Sequence, residues 1–406
     1  MKITRVESFL MSYQMPEPVR LKFWAGRRTI LKRDAMLIRI TTDSGLTGYA
    51  PGPAHERADR EIKQTIGPFL IGRDPRLRSE FGFAADIEMM KTYRAVEIAL
   101  LDLVARHEGC PLSEKLGGRK RDRIKLYGSA GMYMEPEQYA AEARAVIDMG
   151  FGAYKMRPGM GPEKDLETIA LMREAVGPGA GLMIDAHTWW RMGDNSYCFE
   201  TIANLARDMA QYNPLWLEEP LPPDDHDAYR ELRAQSDVKL ASGEHEPDDL
   251  GFADLINSGA VDFVQMDILC QGGVSSAKRI FERLADPGTP GFAFHSWGTT
   301  LEVLAAAQLG VCWPEDVVEW LEYPCYSHRE RPAMYPFPLA DEILSEALEI
   351  EDGYLVLPEK PGLGIDINET VIEKYPFIPG PWSIFELDSP PQTVAVTGDH
   401  SLKWVM

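Results

Sequence analysis

The chain has 406 residues, of which 45% are hydrophobic, and a formal net charge of -21, so it can bury a large core and is longer than one core ordinarily serves; two domains are expected. The acidic balance argues against a nucleic-acid partner, because phosphate backbones call for a basic footprint, and no segment is apolar for long enough to span a bilayer. The opening MKITRVESFLMSYQMPEP lacks the apolar core of a signal peptide, and the five cysteines, Cys110, Cys198, Cys270, Cys312 and Cys325, show no CxxC spacing; a soluble cytoplasmic protein with reduced, packed thiols is expected.

Residues 1 to about 50 alternate in strand fashion through ITRVESFLMS and MLIRITTD, turn at SGLTG and continue as YAPG, which predicts an antiparallel meander. Phe23, Trp24, Arg27 and Arg28 fall in the loop expected between its first two strands. From about 55 to 118 the pattern is helical, and RAVEIALLDLVARHEG places apolar residues at helical spacing before a Gly stop. Residues 1–120 are therefore expected to form an α+β capping domain. From RIKLYGSAG onward, strand-like runs alternate with amphipathic stretches such as PEQYAAEARAVIDMG, EKDLETIALMREAV and VSSAKRIFERLA. Strand candidates fall near positions 124, 153, 182, 215, 238, 262, 291 and 316, which predicts a parallel (β/α)8-type barrel over 121–325. Beyond it, EIEDGYLVLPEKPGLGIDI looks like strand and turn, and 326–406 is expected to return to the first domain. The stretch from about 385 is Pro-containing and polar and is assigned no element.

Parallel strands are buried on both faces, so their polar residues belong at their ends. Here Lys155, Asp185, Glu218, Glu244, Asp267, His295 and Glu322 close successive apolar runs, and in a barrel such ends converge on one face. Three carboxylates from consecutive strands repel one another unless a cation sits among them, which implies a hard divalent ion.

The motifs AVEIALLDL with LGG, KMR at 155–157, IDA at 184–186, WLEEP at 216–220, SGE at 242–244, MD followed by QGG at 266–273, and the FHSWG and WLEYP ends together resemble the mandelate racemase and muconate lactonizing enzyme branch of the enolase superfamily. The resemblance implies an α/β fold, a modified TIM barrel beneath an α+β cap built from both chain ends. It also implies one Mg2+ per subunit on Asp185, Glu218 and Glu244. Glu219 is the rival of Glu218, since adjacent strand residues face opposite ways; the family pattern selects Glu218. Asp267 and His295 match the family's Asp-His dyad, in which the carboxylate fixes the imidazole tautomer and raises its pKa. Lys155 and Arg157 share a face, and Arg157 stands where many relatives have a second Lys that acts as base. Either Lys155 is a base whose pKa the guanidinium lowers, or both cations hold substrate oxygens. His187 matches a position used by some sugar-acid dehydratases, and Glu322 an eighth-strand carboxylate near the substrate. Trp24, Arg28, Trp189 and Trp297 are expected to contact substrate, while His245 should face away from the mouth.

The activity implied is removal of a proton α to a carboxylate. With Arg157 in place of a basic Lys and two imidazoles available, elimination of a β-hydroxyl from a sugar acid is expected, giving a 2-keto-3-deoxy acid. A racemase, epimerase or cycloisomerase on the same scaffold is the alternative, and a non-catalytic sugar-acid binding protein is a further one. The expected partner is a small carboxylate, and a homo-oligomer is expected from the aromatic GPWSIFEL segment and by analogy with other barrels.

Overall fold

A computed structural model describes residues 1–269, 271–326 and 335–399. Cys270, one of the expected packing thiols, lies outside these residues, as do 327–334 and the end of the chain. Among the described cysteines Cys312 and Cys325 are buried, whereas Cys198 is exposed and Cys110 half-buried; packing does not account for the last two.

Strands β1 (Ile3–Phe23) and β2 (Gly26–Thr42) form one long hairpin, paired from Ile3 opposite Thr42 to Phe23 opposite Gly26. The register shifts between Gln14 and Val19, where Pro16 and Pro18 lack ladder donors and are tolerated because β1 is an edge strand. The loop expected between the first two strands is thus a turn at Trp24 and Ala25. Phe23, Arg27 and Arg28 belong to the strands, because alternation runs on through VRLKF and RRTIL. Strand β3 (Thr47–Gly52) pairs with the far end of β2, and helix 87–108 packs across this sheet. That helix is capped by the Asp86 side chain, which accepts from the Met89 amide, and it stops at Gly109 in the left-handed region.

The barrel strands are β4 (Arg123–Met132), β5 (Ala153–Arg157), β6 (Gly181–Asp185), β7 (Trp216–Glu218), β8 (Leu240–Ser242), β9 (Phe263–Asp267), β10 (Gly291–His295) and β11 (Trp320–Pro324). They are parallel neighbours in that order, and β11 pairs with β4 to close the ring. The last strand begins a turn later than expected near 316, because WPEDVV forms the bend before it. One residue from each strand, Tyr127, Ala153, Met183, Trp216, Ala241, Phe263, Ala293 and Trp320, packs into a layer that plugs the barrel. Large and small side chains share this layer, which lets it fill the ring without voids.

The segment after the barrel does two things. Strands β12 (Glu349–Glu351) and β13 (Tyr354–Val356) form a hairpin whose second strand pairs antiparallel with Arg123–Lys125 of β4, so this stretch extends the barrel sheet. The stretch left unassigned in sequence forms a second hairpin, β14 (Ser383–Asp388) and β15 (Pro391–Val396), and β14 joins β2 at Gly26–Ile30. Ser383, Phe385 and Leu387 alternate inward along β14, a period-2 signal cut short by the prolines of the turn. Phe385 is buried and Trp382 packs on the core, so these rings turn inward and do not offer the self-association surface expected of them. Among the described residues no helix is long and apolar enough to cross a membrane.

Candidate active site

Strand parity builds the site. Two residues above the plug on the same face come Lys155, Asp185, Glu218, His295 and Glu322 over Ala153, Met183, Trp216, Ala293 and Trp320, and Arg157 and Asp267 stand four above Ala153 and Phe263. Register completes the placement: Asp185 lies beside Glu218 and Asp267 beside His295.

The floor is a buried charge cluster. Lys155 Nζ lies 2.8 Å from Glu218 Oε1, 3.0 Å from Glu322 Oε1 and 3.6 Å from Asp185 Oδ2. Arg157 lies 3.1 Å from Asp185 and 3.4 Å from Glu322, and its guanidinium stacks 3.9 Å from the centre of the Trp297 ring. Glu322 also accepts from the Tyr127 hydroxyl and the Ser296 amide at 3.2 and 3.1 Å, and Glu218 from the Trp216 indole at 3.0 Å. Burial disfavours every charge here, yet the three carboxylates hold Lys155 well above its ordinary pKa. Without a cation among them, these three anions outweigh the one guanidinium, opposite in direction to the lowering expected from Arg157. Against burial, His187 with Lys155 and Arg157 keeps Asp185 low, and Lys155 with His295 and Arg157 keeps Glu322 low. Two cations face three carboxylates, and Glu218 is the carboxyl of the three that ionises least readily. Burial pushes this group up to about 8, with Asp185, Glu244 and Glu322 adding to the effect against Lys155.

Imidazoles stand on the wall above. His295 Nδ1 lies 3.1 Å from Asp267 Oδ2, and its Nε2 lies 2.9 Å from Glu244 Oε2. Burial opposes the imidazolium, but Glu244 and Asp267 raise His295 well above the usual histidine range. His187 Nδ1 is 2.6 Å from Asp185 Oδ1. His245, expected to face away, lies against the mouth instead, with Nδ1 at 2.6 Å from Glu219 Oε2 and 3.5 Å from Glu244 Oε1. It does so because Glu219 leaves β7 at φ 40°, a turn that brings Glu219 back toward the mouth.

A cavity of about 190 Å³ lies between cap and barrel, lined on the barrel side by Arg157, Asp185, His187, Glu244, Asp267 and His295. Arg28, Arg33 and Trp382 from the cap and Trp297 from the barrel loop also face it. Several expectations need correction. Trp189 is fully buried and donates its indole N–H to Asp165 at 2.9 Å, so it is a core residue outside the lining. Trp24 is exposed and packs by its backbone on the Gly159 carbonyl, again outside the cavity. Lys155, Glu218 and Glu322 lie beneath the lining. Arg33, Arg191 and Glu302 line the cavity and were missed from sequence; they lie away from the strand ends. The one local hint was the lone acid in the otherwise apolar TLEVLAAAQLG. Glu302 is buried, accepts from Ser296 Oγ at 2.7 Å, and is pushed up to about 8 by burial and by Asp267.

The donors suit a hard divalent ion. Glu219, Glu244 and His245 offer ligand atoms within 4.8 Å of one another. Buried Glu219 Oε1 receives no hydrogen bond from the described residues, a costly state for a carboxylate oxygen that a cation would relieve. Asp185 and Glu218 stand next to this group, so Glu244 is shared between the expected set and one that includes Glu219.

A parallel eight-stranded barrel with acids, imidazoles and cations gathered at its C-terminal end, under a cap that closes the cavity, defines a barrel enzyme. Residues 7–117 match the mandelate racemase / muconate lactonizing enzyme N-terminal domain, and residues 138–371 match the enolase C-terminal domain-like family. The chain belongs to the mandelate racemase and muconate lactonizing enzyme branch of the enolase superfamily, whose membership implies a divalent metal and a small carboxylate substrate. It is 30% identical over 391 residues to a D-galactarolactone cycloisomerase of Agrobacterium fabrum, covering 92% of this chain and 99% of that one. It is 27% identical to a D-gluconate dehydratase of Thermoproteus tenax, over 84% of this chain and 69% of that one. The crystal structure of a 3,6-anhydro-D-galactonate cycloisomerase from Zobellia galactanivorans superposes with a TM-score of 0.75 at 27% identity, covering 92% of this chain and 99% of that chain.

Proposed function

We propose that the protein is a magnesium-dependent sugar-acid dehydratase that removes the proton α to a carboxylate and expels the β-hydroxyl as water. The observation that carries this reading is the placement of the proton carriers. On β5 the base position holds Arg157, pinned between Asp185 and Glu322, and Lys155 lies enclosed beneath the lining, whereas His295 and His187 both line the cavity. Asp185, Glu218 and Glu244 would hold the ion, with Glu219 as the alternative to Glu218. A bound magnesium supplies positive charge to the substrate carboxylate and so acidifies its α-carbon.

The chain's own groups supply the remainder. Asp267 accepts from His295 Nδ1 and orients the ring; Nε2, which here lies 2.9 Å from Glu244, would move a proton between the α-carbon and the departing hydroxyl, where both lie on one face, once a bound cation takes up that carboxylate. His187, oriented by Asp185, serves as acid where they lie on opposite faces. The Arg157 guanidinium stabilises the charge that grows on the carboxylate oxygens as the proton leaves. Racemisation needs a competent base on each face and is less well supplied here. The second reading, cycloisomerisation, is favoured by the A. fabrum relative; it shares the proton abstraction and moves a ring bond without loss of water. Incubating the magnesium-loaded protein with stereochemically complete sets of aldonic and aldaric acids and their lactones, with 2-keto acid detection, separates the two. Keto acid with water lost supports the dehydratase. Deuterium washed into unreacted acid without keto acid overturns it in favour of the racemase, and a lactone isomerised without loss of mass in favour of the cycloisomerase.

A further inference from the structure

The cap wall of the cavity carries positive charge that nothing among the described residues neutralises. Arg28 and Arg33 are both 5% exposed and both line the cavity. Among the described residues the partners of Arg33 are all neutral: the Tyr335 hydroxyl at 2.6 Å, the Tyr326 hydroxyl at 3.0 Å and the Trp297 carbonyl at 2.5 Å. Arg28 has less still. Among the described residues its one polar contact is from a terminal nitrogen to Met132 Sδ at 3.0 Å, and its buried Nε has no partner. Neither guanidinium has a carboxylate at ion-pair distance among the described residues. Nearby Lys32, two residues before Asp34, is paired with that carboxylate at 2.9 Å, so the cap sheet does neutralise a buried cation where no ligand is expected. Burying a charge without a partner is costly, and a surface that keeps two such charges against an open cavity is built for an anion.

The surrounding residues hold Arg28 for that purpose. The β14 register sets Phe385 beside it, and its guanidinium carbon lies 4.7 Å from the Phe385 ring centre and 4.8 Å from that of Trp382. Rings packed on a guanidinium occupy its faces and leave its N–H edge for hydrogen bonding. The same cavity is bounded on the barrel side by Arg157 and the acid cluster, where the proposed reaction places the carboxylate next to the labile proton. An anion at Arg28 is therefore a second one.

We infer that the substrate is a dicarboxylate of the aldaric acid type, with one carboxylate on the barrel floor and the other received at the cap by Arg28, with Arg33 beside it. The inference rests on the proposed reaction for the position of the first carboxylate. It also answers how a chain of net charge -21 attracts a dianion: the cationic wall is local and buried, where solvent screens it least.

Paired six-carbon aldaric and aldonic acids, in all stereochemistries, test this with the magnesium-loaded protein. Binding is read by rapid-mixing tryptophan fluorescence, since Trp297 and Trp382 line the cavity and report occupancy before turnover. The tightest diacid is expected to bind at least about tenfold better than the tightest monoacid, as suits one charge-assisted contact. Arg28→Gln should bring that ratio close to unity, and Arg28→Lys should keep part of it. A wild-type protein that binds monoacids as well as diacids overturns the inference whether or not the variants fold. An Arg28→Gln protein that loses affinity for both classes alike, with the ratio intact, overturns it too. If the diacid preference and its dependence on Arg28 hold while no acid yields a keto acid, the inference stands and the dehydratase reading falls.

Discussion

His295 carries the heaviest chemical load in the proposed reaction, and its setting explains why: Asp267 stands opposite it in register and takes Nδ1, and Nε2 points to Glu244, a proposed ligand of the ion. His295→Asn keeps a hydrogen bond to Asp267 but cannot carry a proton, and kcat should fall by at least about 100-fold while magnesium still binds, as read by calorimetry; normal turnover would remove the dyad from the mechanism. Glu302 makes a different prediction. Burial and Asp267 raise its pKa to about 8, well above the ordinary range of a glutamate, so the folded protein holds this proton where the unfolded chain has lost it. The linkage sign is then that stability contributed by the neutral acid is full at low pH and falls as pH rises from about 4.5 to about 8. Glu302→Gln, which cannot ionise, should match wild type near pH 5 and melt higher near pH 8, by about a degree or more; a parallel pair of melting curves across that range would show that Glu302 is ionised in the fold. These residues also mark what a sequence discloses. Asp267 and His295 were legible because a strand end fixes both their height and their face. Trp189 was misread because WW after a strand end looks like a pocket wall, while its indole in fact answers buried Asp165.

At the scale of elements, the eight barrel strands were legible because apolar runs separated by amphipathic helices recur in a fixed order. The cap was less so. Arg28 was assigned to a loop and β14 to no element, and both errors come from prolines and polar residues that interrupt a period-2 pattern without ending the strand. The hairpin turn at Trp24 and Ala25 depends on Gly26, which has φ 153° and approaches β14 so closely that a Cβ would lie 2.0 Å from the Glu386 carbonyl oxygen. Gly26→Ala cannot be absorbed by a side-chain rotation, because the obstacle is backbone. It should separate β2 from β14, cost about 1–3 kcal/mol in denaturant unfolding, and raise KM more than it lowers kcat, since the neighbouring Arg28 loses its seat on Phe385. Unchanged KM with lowered stability would mean that the β14 contact supports the fold without shaping the site.

At the scale of the whole molecule, the candidate site joins the chain's beginning, middle and end, since Arg28, Arg157 and Trp382 meet around one cavity. Neither domain holds a complete site, which is why the strand-end motifs of the barrel describe the chemistry and leave most of the cap wall, Arg33 and Trp382 included, unseen. A cation bound among Asp185, Glu244 and either Glu218 or Glu219 binds the folded chain alone and so stabilises it by mass action, by about 2.7 kcal/mol at a hundredfold excess over Kd. Magnesium should therefore raise Tm by a few degrees, and a chelator should reverse the gain. The two glutamates can be told apart by the same measurement. Burial and its acidic neighbours make Glu218 the floor carboxyl that is costliest to ionise, so Glu218→Gln removes that burden; the metal-free protein should melt at or above the wild-type temperature and the magnesium shift should vanish. Glu219→Gln leaves Lys155 and its partners untouched and should keep the shift. If instead the shift survives in Glu218→Gln and is lost in Glu219→Gln, the ion belongs with Glu219, Glu244 and His245, and Glu218 is left as the counterion of Lys155.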